Sequence, residues 1–356
     1  MTTTKQRNNK GRGAGSNQSS RYLECITEDF DDGWAVEEVT PRRTEVFVDN
    51  SRTVLSYNQS PDIPFDRSIN PYKGCEHGCV YCFARPTHAY LDLSPGLDFE
   101  TKIFTKPHAA ELLARELARP GYQVRPVALG MNTDAWQPIE RKLKITREIL
   151  AVLQEFNHPV AIVTKSSLIE RDIDLLAPMA QLGLVRVMIS VTSLDRKLCR
   201  LMEPRAAAPA RRLQTIQALC NASIPTGVLF APVIPVLNDA ELETILEQVT
   251  AAGADSVGYV MLRLPHELKT LFQDWLQEHY PLKASHVMNV LRNLRGGREY
   301  NANFGERMTG TGEYAYLIAQ RFKLACKKLG LNQADSKLRT DLFKVPPRAG
   351  DQISLF

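Results

Sequence analysis

Short apolar segments alternate with longer amphipathic segments along the middle of the chain. The apolar segments are rich in β-branched residues and apolar on both faces, which predicts parallel strands covered by helices; they lie at 125–130, 159–165, 185–191, 225–232 and 255–262. The amphipathic segments predict helices at 107–119, 141–156, 169–183, 209–222 and 239–252. Repeated βα units form a parallel sheet, open or curled into a barrel, and ligands bind at the carboxyl ends of its strands.

The same pattern divides the chain into predicted regions. The βα units occupy residues 70–265, and residues 266–330 form a mainly helical C-terminal extension. Residues 22–69 form an N-terminal extension. Residues 1–21 predict a disordered basic tail, because they are rich in Gly, Ser, Asn and Thr, and residues 331–356 lose periodicity and predict a flexible tail. The expected fold class is therefore α/β with flexible termini.

Composition and charge favour a cytoplasmic protein that does not span a membrane. Of the 356 residues, 44% are hydrophobic, which is enough for a large core, but the longest apolar run, at 228–237, is interrupted by Pro232 and Pro235. The start of the chain lacks the apolar segment of a secretory signal. The net charge is +4 and residues 1–21 alone carry +5, so the remaining chain is nearly neutral overall.

Three of the seven cysteines lie close together in "GCEHGCVYCF", residues 74–83. Cys75, Cys79 and Cys82 follow the pattern C-x3-C-x2-C in a polar, Gly-containing loop, which is a poor environment for ordinary core residues. Zinc is a second interpretation, but a structural zinc site takes four ligands and His77 is the one further candidate nearby. The spacing favours a third: an iron–sulfur cluster with one iron left open for a substrate or cofactor.

The cysteine pattern, with the aromatic residue Tyr81 before its last cysteine, resembles the signature of the radical S-adenosylmethionine (SAM) superfamily. More narrowly, the chain is similar to the spore-photoproduct-lyase-like group, also called DNA repair photolyases. The segments that carry this similarity are "NPYKGCEHGCVYCFARPTHAYL", "NTDAWQPIERKLKITREIL", "VTKS", "SVTSLD", "MEPR" and "APVIPVLND", which together span roughly residues 70–240.

The resemblance implies a partial (βα)6 radical SAM barrel whose cluster loop follows the first strand. It also implies that Cys75, Cys79 and Cys82 hold a [4Fe-4S] cluster whose open iron binds the amino and carboxylate groups of S-adenosylmethionine. In that family an electron from the cluster breaks the bond between sulfur and C5′. Methionine leaves, and the 5′-deoxyadenosyl radical takes a hydrogen atom from the substrate.

The resemblance places four further residues near SAM. Tyr81 is expected beside the adenine, and Thr133 lies where related lyases have a small hydroxyl residue. Lys165 ends a predicted strand, where it is expected to pair with the SAM carboxylate, and Ser190 ends the next, where it is expected to bind the ribose. The alternatives are that Thr133 caps a helix and that Lys165 is a solvated loop residue.

One departure concerns the substrate. Spore photoproduct lyases carry a hydrogen-donating cysteine near the small hydroxyl residue, whereas this chain reads "LGMNTDAWQ" there, without cysteine. Radical SAM chemistry is therefore better supported than reversal of a thymine photodimer. A phosphate-binding rim is a further hypothesis, with an alternative in solvated surface charges; its arginines are Arg205, Arg211, Arg212, Arg295, Arg298 and Arg307.

The segment "QISLF", residues 352–356, resembles the peptide by which bacterial proteins bind the DNA polymerase sliding clamp. Leu355 and Phe356 would enter an apolar pocket while Gln352 makes hydrogen bonds; the alternative is that they pack on the chain's own surface. The sequence thus predicts a cytoplasmic radical SAM enzyme that acts on DNA, another nucleic acid or a nucleotide, and that takes electrons from a donor such as flavodoxin or ferredoxin. The alternatives are modification of RNA or protein, and a zinc-stabilised nucleic-acid-binding module without catalysis.

Overall fold

A seven-stranded sheet forms the centre of the protein in the computed structural model, which describes residues 11–22, 43–333 and 337–347. The strands are β1 (Glu45–Val48), β2 (Leu55–Tyr57), β3 (Arg67–Ile69), β4 (Tyr72–Lys73), β5 (Lys102–Thr105), β6 (Val127–Leu129), β7 (Val160–Thr164), β8 (Val185–Ser190), β9 (Thr226–Val233) and β10 (Ser256–Met261). Their order in the large sheet is β10-β9-β8-β7-β6-β3-β2. All neighbours pair in parallel except β2 and β3, so six parallel strands make up the predicted (βα)6 sheet.

Helices follow these strands as the amphipathic pattern predicted. They are α1 (Leu97–Thr101), α2 (Ala109–Leu117), α3 (Glu140–Leu143), α4 (Ile145–Glu155), α5 (Ile173–Gln181), α6 (Arg196–Met202), α7 (Pro209–Asn221), α8 (Leu242–Ala251), α9 (Leu268–His279), α10 (Pro281–Asn293) and α11 (Gly312–Leu329). Short 3₁₀ helices cover Arg85–Leu91, Ser167–Asp172 and Asp239–Glu241. None of the described helices has the length and apolar character needed to cross a membrane.

Apolar periodicity explains how the layers pack. In α4, Ile145, Ile149 and Leu153 are buried on the face toward the sheet, and Val160 and Ile162 of β7 are buried beneath. The predicted helix at 141–156 is divided, because Lys144 has a left-handed φ of 56° between α3 and α4. The expected α/β barrel with a helical C-terminal region is confirmed.

A glycine ends the strand that leads to the site. Gly130 has φ +83°, and a Cβ atom there would lie 2.4 Å from the carbonyl oxygen of Val163. The backbone after β6 can therefore pass close to β7 only with glycine at this position. This close passage brings the loop at 131–135 next to the carboxyl end of β7.

A small second sheet, ordered β1-β5-β4, supports the segment that enters the cysteine loop. β1 pairs with β5 in parallel, and β4 pairs with β5 antiparallel, with Tyr72 opposite Thr105. The cysteine loop begins directly after β4, and the backbone NH of Cys75 donates to the carbonyl of Phe99 at 2.9 Å. The start of the loop is thus held against α1, which contains Phe99.

The structure differs from the predicted flexible tails in two segments that lie on the barrel. In residues 11–22, Gly13 and Ala14 are buried and donate backbone hydrogen bonds to the Glu100 carboxylate, at 3.0 and 2.8 Å. In residues 337–347, the Phe343 ring lies 5.7 Å from each of the rings of Tyr122 and His158. Contacts with residues far away in the sequence hold both segments, and such contacts leave no periodic pattern in the sequence.

Candidate active site

The cysteine loop runs from β4 to the 3₁₀ helix at Arg85–Leu91 and brings the three thiols together. Cys75 and Cys79 are buried and Cys82 is half-buried. Cys75 packs with Ala84 and Phe99, and Cys82 contacts both that small cluster and the main core, which contains Cys79. Successive turns, in which the NH of Gly78 donates to Cys75 and that of Cys82 to Cys79, fold the loop back on itself.

Side chains from outside the loop fix its backbone. The Gln137 side chain accepts from the NH of Glu76 at 2.8 Å and donates to the carbonyl of Gly74 at 3.2 Å. Arg85 is fully buried; its Nε donates to the carbonyl of Cys79 at 2.8 Å, and its Nη2 pairs with Glu100 at 2.5 Å. The thiols therefore lie on a rigid backbone.

The electrostatics of the thiols fit a cationic ligand. Burial raises the pKa of Cys75 well above its usual range, and the negative charges of Asp134, Cys79 and Cys82 add to the effect. Burial also raises the pKa of Cys79 to about 12, with the Lys165 charge acting in the opposite direction. Three neighbouring thiolates repel one another when no cation is bound. Bound iron would offset this repulsion and favour the deprotonated form of each thiol.

Within the described ranges, no three His, Cys, Asp or Glu side chains lie close enough together to hold a single metal ion. A cluster makes a different demand. Each of its thiolates binds a separate iron, so the sulfur atoms of the ligands stand farther apart than around one zinc ion.

A buried network extends from the loop to the end of β8. The Tyr81 hydroxyl donates a short hydrogen bond to Glu203, and Glu203 pairs with Arg212 at 2.6 Å. Arg212 also donates to the carbonyl of Ser190 at 3.0 Å. Burial alone raises the pKa of Glu203, but the charges of Arg212 and Lys165 outweigh burial, so this pKa lies below its ordinary value.

A second group of contacts joins β4, β6 and β7. The Thr133 hydroxyl donates to the carbonyl of Tyr72 at 2.8 Å, and the next residue, Asp134, accepts from the Lys165 backbone NH at 2.8 Å. Burial acts to raise the pKa of Asp134, but interactions with His77, 3.4 Å away, and with Lys165 lower it to about 2. The Lys165 Nζ lies 5.8 Å from the centre of the Tyr81 ring and joins the two groups.

The structure thus connects all four residues that the sequence placed near SAM. Thr133 and Lys165 meet through Asp134, Lys165 lies by the ring of Tyr81, and Ser190 is reached through Glu203 and Arg212. Sequence reasoning missed Asp134, Gln137 and Glu203 as members of the site. Glu203 lies within the "MEPR" segment, so the sequence showed that it belongs to a motif. Its contacts with Tyr81 and Arg212 became visible only in the structure.

The predicted arginine rim does not form. Arg212 is buried against Glu203, and Arg295 is buried with its guanidinium on backbone carbonyls. Three others form ion pairs: Arg205 with Glu76, Arg211 with Glu170, and Arg307 with Asp62. Arg298 is exposed. The other five arginines hold the fold together, because the side chain of each contacts a carboxylate or carbonyl that the sequence does not reveal.

A family model described as "Radical SAM superfamily" matches residues 69–249, which include the cysteine loop and the network around it. The chain belongs to the radical SAM superfamily. It is therefore an enzyme of a family that uses an iron–sulfur cluster and SAM, and the alternative of a non-catalytic zinc module is wrong. The thiols, their charges and the half-buried Lys165 fit such a pair of cofactors.

Relatives of this radical SAM chain include uncharacterized proteins from distant organisms. Protein Rv2578c of Mycobacterium tuberculosis (strain ATCC 25618 / H37Rv) is 38% identical over 232 residues, covering 65% of this chain and 68% of that protein. Protein MJ0683 of Methanocaldococcus jannaschii is 25% identical over 221 residues, covering 62% of this chain and 79% of that protein.

Among solved structures, the fold is similar to that of spore photoproduct lyase. The lyase complexed with dinucleoside spore photoproduct superposes with a TM-score of 0.57 at 14% identity, covering 80% of each chain. A mutant of the lyase with bound AdoMet and the same dinucleoside gives a TM-score of 0.56 at 15% identity, again covering 80% of each. These similarities confirm the fold that the sequence predicted. The "QISLF" segment lies outside the described residues.

Proposed function

We propose that this radical SAM enzyme binds a [4Fe-4S] cluster through Cys75, Cys79 and Cys82 and acts on DNA. The observation that carries the proposal is the convergence of three thiols with the Lys165 ammonium and the Tyr81–Glu203 pair at the carboxyl edge of the sheet. Similarity of fold to a lyase bound to a dinucleoside photoproduct supports a nucleic-acid substrate. Modification of RNA or of a protein is the alternative within the same chemistry.

When bound, the cluster and SAM supply a 5′-deoxyadenosyl radical that removes a hydrogen atom from the substrate. The chain's own residues bind SAM and orient it. Lys165 offers its charge to the SAM carboxylate, and Tyr81 offers its ring and backbone to the adenine, held in place by Glu203. Ser190 at the end of β8 offers a hydroxyl to the ribose. Thr133 holds β4, and with it the start of the cysteine loop, through Tyr72.

The position at which spore photoproduct lyases carry their hydrogen-donating cysteine has no cysteine in this chain. Residues 129–137 contain no cysteine, and Cys220 lies half-buried on α7 with its thiol on the carbonyl of Gly253. Cys199 is buried on α6 with its thiol on the carbonyl of Ser193. The reaction proposed here is therefore hydrogen abstraction from a nucleic-acid substrate, without assignment to the photoproduct reaction.

Anaerobic purification with reconstitution tests the cluster. Wild-type protein should contain iron and sulfide and show a brown chromophore that dithionite bleaches. Cys75→Ala, Cys79→Ala and Cys82→Ala should each lose this chromophore. Cys220→Ala, which removes a half-buried thiol on α7, should keep it. Full iron content and an unchanged spectrum in the three loop variants, or zinc in place of iron, would refute the assignment.

Substrate class is tested with the reduced enzyme. With SAM and reduced flavodoxin, the enzyme should release 5′-deoxyadenosine slowly without substrate. Deuterium-labelled DNA, RNA and protein extracts are then supplied in separate reactions. Transfer of deuterium into 5′-deoxyadenosine from DNA supports the proposal, and transfer from RNA or protein alone contradicts it.

A further inference from the structure

Two exposed phenylalanines at the open edge of the barrel each carry an arginine on one face of the ring. Phe83 is 45% exposed, and the Arg263 guanidinium carbon lies 4.7 Å from its ring centre. Phe304 is 58% exposed, and the Arg307 guanidinium carbon lies 4.6 Å from its ring centre. These four residues are called the Phe–Arg surface below. Each pair is preassembled and leaves part of its aromatic surface open to a ligand.

The Phe–Arg surface adjoins the cysteine loop. Phe83 directly follows Cys82, and Arg263 comes two residues after β10, at the carboxyl edge where ligands of parallel sheets bind. Arg263 is close enough for its charge to interact with those of Cys82 and Arg307. The surface therefore extends outward from the site at which the radical is proposed to form.

The loop that carries Phe304 and Arg307 is rigidly attached to the end of β10. Arg295 donates to the carbonyls of Glu306 and Arg307, both at 3.0 Å, and to that of Leu262 at 2.8 Å. The backbone NH of Met261 donates to the carbonyl of Met308 at 2.8 Å. Little conformational entropy is then lost when a ligand binds to this loop.

Asp62 holds the second pair and leaves Arg263 available. The Asp62 carboxylate accepts a short hydrogen bond from Arg307 and one of 2.7 Å from the NH of Gly305. The Asp62 charge also acts on Arg263, but no carboxylate in the described part of the chain lies within ion-pair distance of its guanidinium. A half-buried cation beside an exposed ring, without a carboxylate of its own, suits a ligand that has both a π-face and negative charge.

We propose that the Phe–Arg surface stacks two unpaired bases of single-stranded or locally opened DNA, with the base at Phe83 lying next to the cysteine loop. The faces of bases in an intact duplex are covered by their neighbours, whereas unstacked bases bind aromatic rings and guanidinium planes. This proposal rests on the proposed function, because it specifies how that site would recognise its substrate. A DNA base becomes accessible to the radical only after it leaves the stack.

Fluorescence anisotropy with a short labelled single-stranded oligodeoxynucleotide tests the surface, in the absence of SAM and reductant. Phe83→Ala and Phe304→Ala should each raise Kd by about 5- to 150-fold, since stacking contributes about 1–3 kcal/mol per base. Phe83→Trp and Phe304→Trp should restore binding, because they restore a ring. Tyr316→Ala is the matched control: it removes an exposed aromatic ring from α11 and should leave Kd unchanged.

The salt dependence separates stacking from phosphate binding. The two alanine variants should weaken binding at every salt concentration and keep the wild-type slope of log K against log salt concentration, because stacking releases no counterions. Blunt duplex DNA should compete poorly. Wild-type affinity in both iron-loaded alanine variants, tighter binding of duplex, or preference for an RNA oligonucleotide would each overturn the proposal.

Failure here is distinguishable from failure of the proposed function. Iron, sulfide and 5′-deoxyadenosine are measured without any nucleic acid, whereas the oligonucleotide titration uses neither SAM nor reductant. A protein with cluster and SAM cleavage but no aromatic dependence of binding retains the proposed chemistry and loses the Phe–Arg surface.

Discussion

Lys165 links the two contact groups of the candidate site, because its backbone NH binds Asp134 and its ammonium lies by Tyr81. Its charge also acts on Cys79 and Glu203. Under the proposed function, an ammonium held here would supply the positive charge for the SAM carboxylate, next to residues whose own charges are negative.

Replacing Lys165 should therefore weaken SAM binding. Lys165→Ala removes a charge-assisted contact of about 1.5–3 kcal/mol, so Kd should rise about 10- to 100-fold, measured by anaerobic calorimetry on iron-loaded protein. Lys142→Ala, which removes an exposed lysine from α3, serves as the control for lost surface charge. An unchanged Kd in Lys165→Ala would remove this residue from the site.

His158 makes stability depend on pH at a position remote from the cysteines. Its Nε2 accepts from the Tyr122 hydroxyl at 2.9 Å, and that hydroxyl accepts from Arg67 at 3.2 Å. Its Nδ1–H donates to the carbonyl of Pro159 at 3.0 Å. A proton on Nε2 would break this arrangement, and burial lowers the pKa of His158 from 6.5 to about 4.

Stability should fall as the pH decreases from about 6.5 to 4. Above pH 6.5 the histidine is neutral in both states; below it, the unfolded chain takes up a proton that the folded chain refuses until pH 4. The loss between pH 6.5 and 5 should be about 2 kcal/mol. Thermal unfolding of wild type and His158→Gln should show a steeper decrease in Tm for wild type, and parallel pH curves would contradict the prediction.

At the scale of elements, the N-terminal segment at 11–22 covers the cysteine loop from outside. Arg12 donates to the carbonyl of Glu100 at 2.8 Å, and the Ser16 carbonyl accepts from the NH of Leu97. Farther along, Arg21 pairs with Glu267 on the approach to α9 at 2.9 Å. A Cβ atom on Gly13 would lie 1.7 Å from the carbonyl oxygen of Gly78, so the closest contact requires glycine.

Gly13→Val should displace this segment and expose the loop. We expect the brown chromophore to bleach several times faster in air than in wild type, because oxygen and water reach the thiols more easily. Gly15→Ala is the matched control, since a Cβ atom there meets only Glu278 at an ordinary 3.5 Å. Absorbance decay after air exposure is the measurement, and equal rates in the two variants would show that the segment does not shield the loop.

Periodicity predicted the central elements well because helices and strands of the barrel repeat their apolar positions. Each strand from β6 to β10 lies within its predicted segment or one residue beyond it. The segments that contain Gly13 and Phe343 could not be predicted, because isolated contacts with residues distant in sequence carry no period. Local spacing therefore determines the barrel, and long-range contacts determine what covers it.

The candidate site, too, could be predicted only where it depends on residues close together in the sequence. The cysteine spacing and the polar residues at strand ends were readable, since both depend on positions near in sequence. The pairing of Glu203 with Arg212 was not readable, and Arg212 was assigned to a surface rim. The sequence shows that a residue is charged, but only the structure shows that it is buried beside a partner.

For the whole molecule, the "QISLF" segment is proposed to connect the enzyme to the sliding clamp. A peptide of residues 345–356 should bind the clamp by itself in the micromolar range. Burial of Leu355 and Phe356 contributes about 1.5–3 kcal/mol each, less the entropy of ordering the peptide. Replacing both by Ala should abolish binding in calorimetry while iron content stays the same, and binding that survives the double change would refute the motif.

The N-terminal segment also implies an order of assembly during synthesis. Gly13 and Ala14 leave the ribosome before their partners, Gly78 and Glu100, have been made. Until the Glu100 carboxylate exists, the segment lacks the group that binds its backbone, so the three thiols of a nascent chain remain accessible to the machinery that delivers iron and sulfide. Because the docked segment covers the loop, a purified protein whose segment has docked before the proposed cluster is loaded should take up iron more slowly than one in which Gly13 has been replaced.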